Sequence, residues 1–232
     1  MEYTTLLFDA DGTLLDFPRD MENAFQGLYA ACFAGQRPYS PQILRCYEKC
    51  NDRWWKKLER GQCTKPQLYV GRFYDFLQET GLTGVPEELT VEYFRRLGQG
   101  GAVYPGALEL VEKLSGKYEL YIVTNGNAAT QKTRLENSGL LRFVKDYFVS
   151  EDAGAAKPDP RYFDYVFSRL PHVGRKESLV IGDSLTSDIQ GAVNAGLDSL
   201  FYHPDGPVGS AGKPPYTYEA GSYEAIAGIL GL

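Results

Sequence analysis

Two carboxylates one residue apart, Asp9 and Asp11, stand where an apolar run of Thr4, Thr5, Leu6, Leu7 and Phe8 gives way to Gly12 and Thr13. A carboxylate delivered by a buried strand can attack a phosphoryl centre when a cation offsets its repulsion from the phosphate. A second carboxyl that holds a proton can then deliver it to the departing alkoxide. The same Asp-x-Asp-Gly is also what a solvated turn capping a strand end looks like. The pair alone does not separate the two readings.

Three further sites follow strand-like or loop-like segments. Ile122 and Val123 lead into Thr124, Asn125 and Gly126. A hydroxyl and exposed backbone N–H groups before a helix suit phosphate oxygens, although Thr and Asn are also ordinary helix caps. Lys157 precedes Pro158, and Asp159-Pro160 then opens a helix. A lysine fixed in such a loop can neutralise a nucleophile and phosphoryl oxygens, where most lysines are only solvated. Val180, Ile181 and Gly182 lead to Asp183, with Asp188 five residues on at a helix start. Magnesium takes hard oxygen ligands and keeps several waters, so Asp9 with Asp183 provides a sufficient pair. Asp188 has the simpler alternative of complementing a helix N-terminus.

These sites need a scaffold that brings strand ends together. Apolar runs at 4–8, 120–123, 147–149, 179–181 and 199–202 read as strands. Helical stretches at 128–138, 161–170 and 188–195 alternate with them, the first and last stopped by Gly139 and Gly196. Alternation of this kind predicts an α/β fold with a doubly wound parallel sheet. In such sheets ligands bind at the carboxyl edge, where all four sites fall. From about Met21 to Leu97 strand-like runs are missing, and breaks at 35–41, 61–66 and 81–86 cut the segment into about four helices. The expectation is one core domain, residues 1–16 and 99–232, interrupted by a helical domain, 17–98. A Gly- and Pro-rich stretch at 204–215 reads as a surface loop.

Composition narrows the partners. The chain has 232 residues, 43% hydrophobic and 23% charged, with a formal net charge of −6. An acidic surface disfavours nucleic-acid polymers and anionic membranes, which need clustered Lys and Arg. No apolar run reaches the length of a membrane span and no basic–apolar leader is visible, so a cytoplasmic location is expected. Cys32, Cys46, Cys50 and Cys63 lie far from His172 and His203, the two histidines, which argues for plain thiols and against a zinc site.

Taken in order, Asp-x-Asp-Gly-Thr, Thr-Asn-Gly, Lys-Pro and Gly-Asp-x4-Asp resemble the haloacid dehalogenase (HAD) superfamily of phosphatases over essentially the whole chain. That resemblance implies a HAD-like Rossmannoid core with a C1-type helical cap. It implies Asp9 as nucleophile, Asp11 as general acid/base, and Thr124, Asn125 and Lys157 at the phosphate. Mg²⁺ would sit on Asp9, the backbone carbonyl of Asp11, and Asp183, with Asp188 supporting, and Gly126 would support the site beside Thr124 and Asn125. Residues 124–126, 131–140, 150–158 and 162–165 are more specifically similar to the YjjG-type pyrimidine 5′-nucleotidases. The expected partner is therefore a small phosphorylated metabolite, a nucleoside 5′-monophosphate. Sugar phosphate, phosphoglycolate or sialic-acid phosphate hydrolysis are rivals, as is a phosphoglucomutase-type transfer. Dehalogenases share the nucleophile but do not need the second acid, and a non-enzymatic scaffold would not need Asp9, Asp11 and Asp183 together. The helical insertion supplies Tyr47, Trp54, Trp55, Tyr69, Phe73 and Tyr74 with Arg53 and Arg72. Most of those rings are expected to pack the insertion, with one or two left to stack on a base as part of a mobile lid.

Overall fold

Leu6, Leu7 and Phe8 point alternately to opposite faces of a sheet covered on both sides, which is why the run is continuously apolar. In this computed structural model, which describes residues 3–204, 206 and 212–232, six strands form one parallel sheet. They are β1 (Thr5–Phe8), β2 (Glu119–Thr124), β3 (Asp146–Val149), β4 (Ser178–Gly182), β5 (Asp198–Tyr202) and β6 (Tyr218–Ala220). Their spatial order is β3-β2-β1-β4-β5-β6. The order reverses at β1, so the crevice of a doubly wound sheet opens beyond the end of β1, beside β2 and β4. Phe8 is in register with Ile122 on one side and Ile181 on the other.

Helices α5 (Ala107–Ser115) and α10 (Tyr223–Ile229) cover one face through Leu110, Val111, Leu114 and Ile226, packed with Leu6, Phe8, Ile122 and Ile181. Leu135 of α6 (Ala128–Ser138) joins that layer. On the other face α8 (Pro160–Arg169) and α9 (Gln190–Ala195) set Tyr162, Phe163, Val166 and Ala192 against Leu7, Val123 and Val180. A single turn, α7 (Ser150–Ala153), follows β3.

The chain divides into two compact units, one comprising the chain through Phe17 together with Gly101–Leu232, the other Pro18–Gly100. These divisions lie one and two residues beyond the expected ones. The second unit is built on α1 (Phe17–Cys32), α2 (Pro41–Glu59), α3 (Lys65–Thr80) and α4 (Pro86–Leu97). A proline stands in the first turn of α2, α3 and α4, where its missing N–H costs nothing. Thr64 and Gln67 form a reciprocal capping box, and Gly81 ends α3 in the left-handed region. Phe25 stacks on Tyr47 at 4.4 Å, and Phe76 meets Phe25 edge-on at 5.4 Å. Tyr47 and Phe73 are fully buried in this packing, whereas Tyr74 is 56% exposed. Arg72 is also buried, donating from Nη1 to Asn51 at 3.0 Å, with its guanidinium 4.6 Å from the Tyr93 ring centre.

Helices α5, α7 and α10 and strand β6 lie outside the elements expected from the sequence. The stretch 188–195 is expected as one helix, whereas the structure places a single π-helical turn over Leu185–Ile189 ahead of α9. The expected loop at 204–215 falls partly outside the described residues. Among the described residues no helix is long and apolar enough to cross a membrane.

Candidate active site

Asp9 follows β1 directly and remains tied to the sheet, its N–H donating to the Ile181 carbonyl at 2.8 Å. The chain then turns back: Leu14 and Leu15 both donate to the Ala10 carbonyl, at 2.9 and 2.7 Å. Gly12 makes this turn at φ 91°, and a Cβ there would run into the Asp183 carboxyl. Glycine is thus required twice at one position, for its backbone and for the approach of an acid. Thr13 secures that acid, its hydroxyl donating to Asp183 Oδ1 at 3.2 Å and accepting from the Asp183 N–H at 3.1 Å.

Lys157 is 1% exposed and spends its three N–H donors on three acceptors. These are Asp9 Oδ1 at 2.7 Å, Asp188 Oδ1 at 2.6 Å and the Val123 carbonyl at 2.7 Å. Asp188 accepts through its other oxygen from the Ser184 N–H at 3.1 Å. It stands in the π turn, where one oxygen serves the N–H of the capping residue and the other holds Lys157, so the helix-terminus role and the lysine contact are combined. Asn125 departs from expectation. Its amide donates to the Lys157 carbonyl at 2.8 Å and to Ser187 Oγ at 3.2 Å, and accepts the Lys157 N–H at 2.9 Å. A side chain so committed holds the lysine loop and is not available to a phosphate oxygen. Thr124 is differently placed. Its hydroxyl oxygen accepts from the Gly126 N–H at 3.1 Å and from Gln131 Nε2 at 2.7 Å. With both contacts accepted, its own proton is the one left to donate.

Carboxylate oxygens of Asp9, Asp183 and Asp188 lie within 4.8 Å of one another. Three acids against one lysine leave two negative charges in excess when all are ionised. Burial, and next the charge of Asp188, raise the Asp9 carboxyl well above its usual range, although Lys157 pulls the other way. Asp183 is pushed up to about 7, again by burial first and Asp188 second. Burial would lower the Lys157 ammonium, but Asp188 and Asp9 hold it above its ordinary value. A hard divalent cation suits this donor set in both charge and chemistry, and Asp188 is already spent on Lys157 and Ser184. Asp9 and Asp183 are the acids that would hold it.

Asp11 turns elsewhere. Gln131 Nε2 donates to its Oδ2 at 2.7 Å and Arg134 Nη1 to its Oδ1 at 2.5 Å. Both partners are buried on α6, and neither is among the site residues expected from the motifs. Their spacing of three on one helix face is the only sequence signal for them. A second cluster of side chains that could ligate a metal, Cys46, Cys50 and Glu79, lies in the helical unit. There Arg53 donates to Glu79 at 2.5 Å and to Cys50 Sγ at 3.2 Å, so a cation already occupies it. The helical unit also has a hollow of about 680 Å³ walled by Trp54, Val70, Tyr74 and Pro86, with no carboxylate–lysine cluster around it.

A model of haloacid dehalogenase-like hydrolases matches residues 3–196. HAD-hydrolase YfnB of Bacillus subtilis is 39% identical over 99% of this chain and 96% of its own. Pyrimidine 5′-nucleotidase PynA of Streptococcus pneumoniae is 34% identical over 99% of this chain and 96% of its own. Pyrimidine 5′-nucleotidase YjjG of Escherichia coli is 31% identical, covering 91% of this chain and 92% of its own. The crystal structure of YfnB bound to magnesium superposes with a TM-score of 0.92 at 38% identity, covering both chains completely.

Proposed function

The chain belongs to the haloacid dehalogenase-like hydrolase family, and we propose from that premise a magnesium-dependent hydrolysis of pyrimidine nucleoside 5′-monophosphates through an aspartyl phosphate on Asp9. The observation that carries the reaction is the meeting of Asp9, Asp183 and the saturated Lys157 beyond the ends of adjacent strands. The substrate reading rests on the two nucleotidases, each similar along nearly all of its length.

In this reading an Asp9 oxygen attacks phosphorus in line, and the bond from phosphorus to the ester oxygen breaks. The electron pair leaves with that oxygen, which takes a proton from Asp11. Asp11, now ionised, accepts a proton from water as the water oxygen attacks the same phosphorus. The bond to Asp9 breaks, inorganic phosphate departs, and both acids regain their starting state. Thr124 donates its hydroxyl proton to a phosphoryl oxygen, while Lys157 offsets the charge gathering beside Asp9. Magnesium held by Asp9 and Asp183 supplies the charge that lets an anionic nucleophile approach an anionic ester. The magnesium-bound YfnB crystal structure supports that cofactor.

Phosphate release from uridine and cytidine monophosphates, purine monophosphates and sugar phosphates, with magnesium or with chelator, tests the reading. Pyrimidine nucleotides should be hydrolysed fastest, and only with the metal. A sugar phosphate outpacing every nucleotide would reject the substrate, and full turnover after rigorous chelation would reject the metal.

A further inference from the structure

Asp11 is held by a closed ring of hydrogen bonds that the proposed chemistry does not by itself require. Gln131 Nε2 divides its two hydrogens between Asp11 Oδ2 and Thr124 Oγ1, both at 2.7 Å. Gln131 Oε1 accepts from Arg134 Nη1 at 3.0 Å, and the same nitrogen donates to Asp11 Oδ1 at 2.5 Å. Both side chains are 1% exposed, so neither has bulk water as an alternative partner. The amide orientation is set by its neighbours, since the reverse would aim its oxygen at a carboxylate. Even the backbone makes room for the ring: a Cβ on Gly126 would land on the Gln131 side chain.

We infer that Gln131 and Arg134 are positioning residues that fix the carboxyl plane of Asp11 and tie it, through one shared amide, to the hydroxyl of Thr124. The inference rests on the reading of Asp11 as general acid/base. A carboxylate offers about four lone-pair directions, and the ring occupies one on each oxygen. The remaining directions are thereby aimed, and proton delivery to a leaving oxygen depends on that aim.

The test compares esters that need a proton on the leaving group with one that does not. Gln131→Leu, Arg134→Lys and Arg134→Met are assayed beside wild type and Asp11→Asn. The substrates are p-nitrophenyl phosphate and the alkyl monophosphate that wild type hydrolyses best. The readout is kcat/KM, which includes departure of the leaving group and excludes the later attack of water. Nitrophenolate leaves without protonation, whereas an alkoxide does not. Gln131→Leu is expected to lose about 100-fold on the alkyl ester and less than about 10-fold on the aryl ester. Arg134→Lys, which keeps a cationic donor, should retain more alkyl-ester activity than Arg134→Met. Unchanged melting temperature in Gln131→Leu shows that the fold is intact, and Arg134→Lys carries the comparison if it is not. Equal losses on both esters, or none, would overturn the inference. If Asp11→Asn itself fails to distinguish the esters, the acid/base reading falls, and the inference with it.

Discussion

Removing magnesium should make this protein's stability depend steeply on pH, and the direction follows from the buried acids. Asp183 titrates from 3.8 when exposed to about 7 in the folded chain, because burial and Asp188 oppose its charge. A raised carboxyl means that the folded state holds a proton the unfolded state has released. Stability is then highest below the unfolded value and falls as pH rises toward 7, levelling above it. The ionised folded state carries a cost on the order of 4 kcal/mol from Asp183 alone. Asp9 is displaced in the same direction and adds to the slope. A cation on Asp9 and Asp183 favours their charged forms and offsets that cost. Thermal melts in chelator should therefore drop between about pH 4 and pH 7, by roughly 10 °C for a chain of this size. With saturating magnesium the profile should be flatter, so the metal-induced shift is larger at the higher pH. Asp183→Asn should flatten the chelator profile and lose most of the magnesium shift. A magnesium shift of the same size at both pH values would refute the placement of the cation on these acids.

Asp9→Asn should lose at least about 10³-fold in turnover while melting at or above the wild-type temperature, since a poor nucleophile also removes a buried charge. Recovery of labelled aspartyl phosphate from wild type, and none from the variant, checks the covalent step. Lys157→Met should cost about 3–5 kcal/mol in urea unfolding near neutral pH, because Asp9 and Asp188 keep buried charges without their partner. That loss should shrink toward acid pH as Asp9 takes up a proton, and a loss independent of pH would argue against the charge account.

The strand ends and their acids were legible in sequence because each signal is local. An apolar run buried on two faces shows as consecutive Leu, Val, Ile and Phe, and the polar residue that ends it shows as a break. Alternation with helical stretches then carries the parallel sheet, since a parallel pair needs a crossover. The helical insertion was equally visible through its proline starts and glycine stops. Other elements left weaker marks. Helix α5 buries Leu110, Val111 and Leu114 over only nine residues, and β6 has three, of which Ala220 alone is buried. The π turn at Leu185–Ile189 is five residues long, too short to leave a periodic signature.

Residue types therefore declared which chemistry was present, and the folded chain decided which partner each group serves. Asn125 and Thr124 adjoin each other and read alike as donors, yet one is consumed by the Lys157 loop and the other keeps its proton to give. Asp11 meets Gln131 from 120 positions away and Arg134 from 123. Those bonds form because the end of β1 and the first turns of α6 converge where the sheet order reverses. Periodicity and composition report neighbours within a helix or strand, whereas a hydrogen bond between distant elements depends on a position in space that no local pattern encodes.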